Sequence, residues 1–161
     1  MAQRLTKKIQ LRHVIATVGT WALTVASNLV TLDKSAADDT SVLYVPIVPE
    51  PELPHARARD IKYVRFQWSN ATAALDAAPT AVLSKVTKNT TTKVRTRATV
   101  TQTLTISGTD ATGTAVGTFE GLVTPSTPVR LEDNEELWLE ITINAGATSV
   151  VKLGAVEFEL A

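Results

Sequence analysis

The stretch KVRTRATVTQTLTI, residues 93 to 106, alternates over its whole length. Val94, Thr96, Ala98, Val100, Gln102, Leu104 and Ile106 fall on one side of an extended chain, and Lys93, Arg95, Arg97, Thr99, Thr101, Thr103 and Thr105 on the other. Period two is the mark of a strand with one covered face. The pattern recurs along the chain. IKYVRFQW at 61 to 68 opposes Val64, Phe66 and Trp68 to Tyr63, Arg65 and Gln67. LWLEITI sets Leu137, Leu139, Ile141 and Ile143 on one face, and in the last segment Val156, Phe158 and Leu160 alternate with Glu157 and Glu159.

Between these runs lie turn-forming clusters: DKSAADDTS, SGTDATG, PSTP, LEDNEE and NAGATS. Further strands are expected near 13–18, 20–32, 42–48 and 114–123. Pro49, Pro51 and Pro54 exclude helix interior and central strand from their segment, which reads as an extended loop. NATAALDAA at 70 to 78, closed by Pro79, reads as a short helix or as a loop with one turn. The predicted class is therefore all-β: an antiparallel jelly-roll-like β-sandwich with an extended N-terminal arm, and an immunoglobulin-like sandwich as the alternative architecture. The arm covers residues 1–12 and a single domain covers 13–161. The expected core is Val64, Phe66, Trp68, Val100, Leu104, Ile106, Leu139, Ile141, Val156 and Phe158. A chain of 161 residues can bury about two thirds of its unfolded surface, so it carries such a core without staples. It has no cysteine to make any.

Arg4, Lys7, Lys8 and Arg12 precede VIATVGTWALTVASNLVTL, a run of 19 residues without a charge that imitates a leader or a membrane span. Seven of those residues are Thr, Ser, Asn or Gly, and two shorter alternating segments fit the run better, so it reads as strands. No membrane partner is expected. Net charge is zero but unevenly spread: residues 1–100 hold 14 Lys and Arg against 7 Asp and Glu, and residues 101–161 hold 2 against 9. That polarity suits contacts between copies or with a charged surface, or internal neutralisation where the fold interleaves both parts.

The residue types that carry chemistry are sparse. His13 and His55 stand apart and match no zinc spacing. Ser69, Ser84 and Ser107 lack a nucleophile elbow. Asp133, Asn134, Glu135 and Glu136 form a turn whose spacing matches no calcium loop. Glu120 or Glu140 would need a second acid to serve a glycosidase-like site. Neither an enzyme nor a cofactor is expected. Nucleic acid is not favoured, because no aromatic lies between residues 69 and 118 to interleave with the cations. Trp138, opposite the Leu137–Ile143 face, is the residue that invites a sugar, with burial in a subunit contact or a second layer as the alternative.

Protein contact fits what is left. The arm MAQRLTKKIQLRH holds only Leu5, Ile9 and Leu11 as large hydrophobes and is expected to lie on a partner. The arm, the all-β body and the ending LEDNEELWLEITINAGATSVVKLGAVEFELA resemble the jelly-roll cement or decoration proteins of tailed bacteriophage heads. The resemblance implies a structural virion protein on the outer capsid surface, a homotrimer that clamps neighbouring copies of the major capsid protein. A receptor- or carbohydrate-binding module of a phage tail and a shell-forming capsid protein are the alternatives. The residues expected to bind the partner are Arg4, Leu5, Lys7, Lys8, Ile9, Leu11 and Arg12 of the arm, with Lys93, Arg95 and Arg97 of the basic strand face.

Overall fold

Alternation becomes strand throughout the computed structural model, which describes residues 5–26, 29–47 and 60–160. In chain order the strands are β1 (Leu5–Ile9), β2 (Ile15–Ala16), β3 (Trp21–Ala26), β4 (Leu29–Lys34), β5 (Asp39–Ile47), β6 (Ile61–Asn70), β7 (Thr80–Lys88), β8 (Arg95–Thr99), β9 (Gln102–Gly108), β10 (Gly117–Pro125), β11 (Glu135–Ala145) and β12 (Val151–Leu160). A single 3-10 turn, Leu11–His13, is the one helical element among the described residues. No helix there is long and apolar enough to cross a membrane.

The strands form two antiparallel sheets. A seven-stranded sheet runs β3-β4-β12-β6-β10-β9, with β1 also on β12, and a five-stranded sheet runs β2-β5-β11-β7-β8. Within them β4-β12-β6-β10 faces β5-β11-β7-β8, and along the chain these strands alternate between the two layers except for the β7–β8 pair, which stays in one sheet. That connectivity is a jelly roll. The inward residues of β6, β11 and β12 make the core, with Val64, Phe66, Leu139, Ile141 and Val156 fully buried. Phe66, Trp68 and Phe119 stack in sequence at 5.2 and 5.3 Å between ring centroids. Val100, Leu104 and Ile106 pack against the core but are only partly buried, because β9 is the last strand of its sheet.

Four segments differ from the sequence expectation. The described part of the arm is β1, paired with β12 of the same chain from Leu5↔Leu160 to Ile9↔Val156, and Leu11 is buried. The cause is the free edge of β12 beyond β4, whose backbone groups need a partner. Second, the uncharged run 20–32 divides into β3 and β4, paired from Trp21↔Lys34 to Ala26↔Leu29. Third, of the two readings of 70–78 the loop forms and the helix does not: Leu75 bridges Ala145, and Asp76 N–H donates to the Asn144 carbonyl at 3.1 Å. Ala-rich propensity loses there to the need of the end of β11 for backbone partners.

The fourth difference lies in the alternating stretch itself. It is two strands in two sheets: β8 pairs β7, β9 pairs β10, and Val100 and Thr101 carry the chain across. Hydrogen bonds hold the crossover. Val100 N–H donates to the Leu83 carbonyl at 2.9 Å, and the Gln102 amide bonds the backbone of Ala81 and Leu83 on the side of β7 opposite β11, beyond the end of its pairing with β8. Arg95 and Arg97 therefore sit on the outer face of the five-stranded sheet. Thr103 and Thr105 sit on the outer face of the other.

Candidate functional site

β11 reads Glu135–Ala145 with Leu137, Leu139, Ile141 and Ile143 turned inward, so Glu136, Trp138, Glu140 and Thr142 face out. Its neighbours bring their own outward residues alongside in register. On β5, Tyr44 lies opposite Glu140 and Pro46 opposite Trp138; on β7, Ser84 lies opposite Trp138 and Val86 opposite Glu136. β8 then adds Arg97 beside Val86, and β2 adds Ile15 beside Tyr44. The product is a shallow groove of about 290 Å³ across the outer face, lined by Ile15, Tyr44, Val86, Arg95, Arg97 and Trp138.

Two ion pairs frame the rings. Arg97 Nη2 lies 2.7 Å from Glu140 Oε2, and Arg95 reaches both oxygens of Glu136 at 3.4 Å. Trp138 Nε1–H donates to Glu136 Oε2 at 3.2 Å, which fixes the indole against the same carboxylate. The hydrogen bond to Glu140 holds the Arg97 guanidinium above its ordinary pKa, and Tyr44 adds in the same sense. Ser84 is buried beneath this layer although it belongs to the outward row, and its hydroxyl has no partner within the described chain. The face thus offers half-exposed Trp138 and Tyr44 rings, arginine donors and carboxylate acceptors within one groove.

Of the residues expected to bind a partner, Arg95 and Arg97 reach this site. Arg4 lies outside the described residues. Leu5, Lys7, Lys8 and Ile9 belong to β1, Leu11 is buried and Arg12 is exposed in the 3-10 turn, all at the edge of the seven-stranded sheet. Lys93 sits in the turn before β8 with φ 63°, and its ammonium donates to the Thr90 carbonyl. Glu120 pairs with Arg65 at 3.4 Å on the opposite face, so it cannot act together with Glu140. The Asp133–Glu136 turn spends its groups internally: Glu135 binds Lys85 at 2.8 Å and Asn134 donates to the Lys88 carbonyl. Among the described residues no cluster of His, Asp or Glu could hold a metal ion. His55 lies outside them. Ile15, Tyr44 and Val86 are the site residues that sequence reasoning missed, and Glu136, weighed there only as part of a turn, belongs to the groove instead. Tyr44 stands out of phase with buried Leu43 and Val45 in VLYVPIV, but the cross-strand register that brings it to Trp138 has no local signature.

No protein-family model matches the chain and no curated protein matches it. Three of the solved structures similar to it are carbohydrate-binding modules or contain one. The Clostridium thermocellum endo-1,4-β-D-xylanase 10B CBM22-1–GH10 modules complexed with xylohexaose superpose with a TM-score of 0.45 at 14% identity, over 98% of this chain and 28% of that one. This chain therefore spans well under a third of that protein. The xylan-binding module CBM86 of Roseburia intestinalis gives a TM-score of 0.38 at 16% identity over 99% and 97% of the two chains. The family 11 carbohydrate-binding module of Clostridium thermocellum, in complex with a β-1,3-1,4-mixed-linked tetrasaccharide, gives 0.32 at 6% identity over 96% and 87%. At these TM-scores the likenesses carry no argument about this chain's ligand. The jelly roll stands on the chain's own strand order.

Proposed function

We propose that the protein is a non-catalytic carbohydrate-binding jelly roll, and that the outer face of its five-stranded sheet holds the sugar. One observation carries this reading: Trp138 and Tyr44 share a groove with Arg95 and Arg97, each arginine paired to a glutamate at hydrogen-bonding range. Sugars present an apolar C–H face and a rim of hydroxyls. A half-exposed indole covers the first, and charged donors and acceptors bond the second more strongly than neutral groups do. Covering the exposed part of one ring contributes about 1–2 kcal/mol at ~25 cal/mol per Å². Each carboxylate of the groove is engaged by an arginine, an arrangement suited to recognition rather than proton transfer. The capsid reading of the sequence relies on a basic arm and a cationic strand that are free to meet a partner. The described arm is a strand of the sandwich, and Arg95 and Arg97 are engaged by Glu136 and Glu140, so the aromatic face supports the carbohydrate reading better.

The test is affinity electrophoresis through gels cast with a panel of neutral and acidic soluble polysaccharides. Retardation by at least one of them is expected, with Trp138→Ala abolishing it and Thr103→Ala, on the opposite face, leaving it intact. Unretarded migration through the whole panel, or equal retardation of Trp138→Ala, would remove the proposal.

A further inference from the structure

The edges of the two sheets are protected unequally. β2 is two residues long, β1 carries Lys7 and Lys8, and β8 carries Arg95 and Arg97, which are common ways of keeping an edge from meeting another strand. β9 is uncharged, but its large apolar residues turn toward the core. β3, WALTVA, has none of these protections. It holds no charge, proline or bulge, and alternate backbone N–H and C=O groups point away from β4 along its open side.

The base of the hairpin that β3 forms with β4 belongs to the sandwich through Trp21, Leu32 and Lys34, while its tip is exposed. β12 pairs β4 only through Val151, Lys152 and Leu153, and its register then shifts before Val156. Among the described residues, residues 29–31 of β4 have no strand paired to them except β3. Leu23, Val25, Leu29 and Val30 are 51%, 70%, 68% and 48% exposed, the densest group of exposed large hydrophobics among the described residues. A neutral apolar edge with open hydrogen-bonding groups is built to be continued by another strand.

We infer that β3 pairs antiparallel with β3 of a second copy, making a dimer in which the seven-stranded sheets run on through a two-fold axis. The occupant follows from charge. An edge that meets itself across a two-fold brings side chains of the same sign from the two copies together, Lys7 and Lys8 for β1 or Arg95 and Arg97 for β8, whereas residues 14–32 hold no charged side chain. The exposed Val25 and Leu23 of one copy then cover those of the other. This inference is independent of any sugar.

Sedimentation equilibrium of the wild-type chain over a wide concentration range reads it directly. A reversible dimer is expected, with Val25→Lys and Leu29→Lys each weakening association at least tenfold at unchanged circular dichroism. The sequence has no cysteine, so single-cysteine variants at Ala22, Thr24 and Ala26 report the edge without adding charge. At least one should oxidise rapidly to a covalent dimer, and Thr103→Cys on β9 should not. A monomer up to millimolar concentration, a trimer, or cross-linking confined to Thr103→Cys would overturn the pairing.

Discussion

The side-chain carbonyl of Gln102 accepts the backbone N–H of Leu83 at 2.8 Å, while its amide nitrogen donates to the Ala81 carbonyl at 2.9 Å. One side chain thus stands where a strand would, at the stretch of β7 that β8 has left. Gln102→Leu removes both bonds and leaves two partly buried backbone groups unpaired. A loss of about 1–3 kcal/mol is expected, read as a fall in the urea midpoint at unchanged slope.

Lys34 is fully buried, and its ammonium is satisfied by the Ser35 carbonyl at 3.1 Å, the Ala37 carbonyl at 3.0 Å and Asp39 Oδ1 at 3.2 Å. Lys34→Met keeps the stem and deletes all three ammonium hydrogen bonds, leaving Asp39 with the Ser41 hydroxyl but no counter-charge. The expected cost is about 3 kcal/mol, with Asp39→Ala in the same chain restoring part of it. Equal unfolding midpoints for wild type and Lys34→Met would show that the ammonium contributes nothing.

Asp110 organises the loop between β9 and β10. Its carboxylate accepts the Thr112 hydroxyl and the backbone N–H groups of Ala115, Thr112 and Gly113, which lower its pKa from 3.8 to about 2. A depressed folded pKa adds stability that is fully present above the ordinary carboxylate value and is lost as pH falls from there through about 2. The melting temperature of wild type should therefore exceed that of Asp110→Ala by a constant margin near neutrality. Thermal melts taken between pH 5 and 2 should show the margin shrinking, and a margin that grew with acid would contradict the sign.

The Arg97–Glu140 pair separates folding from binding. Both side chains are substantially exposed, at 48% and 23%, so breaking the pair should change stability by no more than about 1 kcal/mol. In the proposed carbohydrate site the same groups would meet sugar hydroxyls. Arg97→Ala and Glu140→Ala are each expected to weaken polysaccharide binding about tenfold, near 1.4 kcal/mol, in calorimetric titration. A double-mutant cycle then measures how far the two act as a unit.

Much of this was legible in the chain because side chains alternate faithfully with burial. Phe66, Leu139 and Val156 occupy the core where period two puts them. The site is a different matter. Trp138 could be picked out by its phase, but Tyr44 and Arg97 come to it through register across β5, β11, β7 and β8, which depends on pairing partners far apart in sequence. Alternation also continues without a break through Val100, so nothing local announces that β8 and β9 belong to different sheets. The arm is a similar case: LTKKI looks too polar to bury much, and what recruits it is backbone hydrogen bonding to β12 rather than side-chain area.

The crossover between β8 and β9 is two residues long, Val100 and Thr101. An even count keeps phase. Odd-numbered residues face outward before it and after it, which turns Arg97 to one side of the molecule and Thr103 to the other while Leu104 and Ile106 still reach the core. Inserting or deleting one residue there would invert β9 alone, sending its threonines inward and its leucine and isoleucine into water, with β8 undisturbed. Length changes at this point should be tolerated only in steps of two, so the corner works as a parity constraint coupling the chemistry of two opposite surfaces.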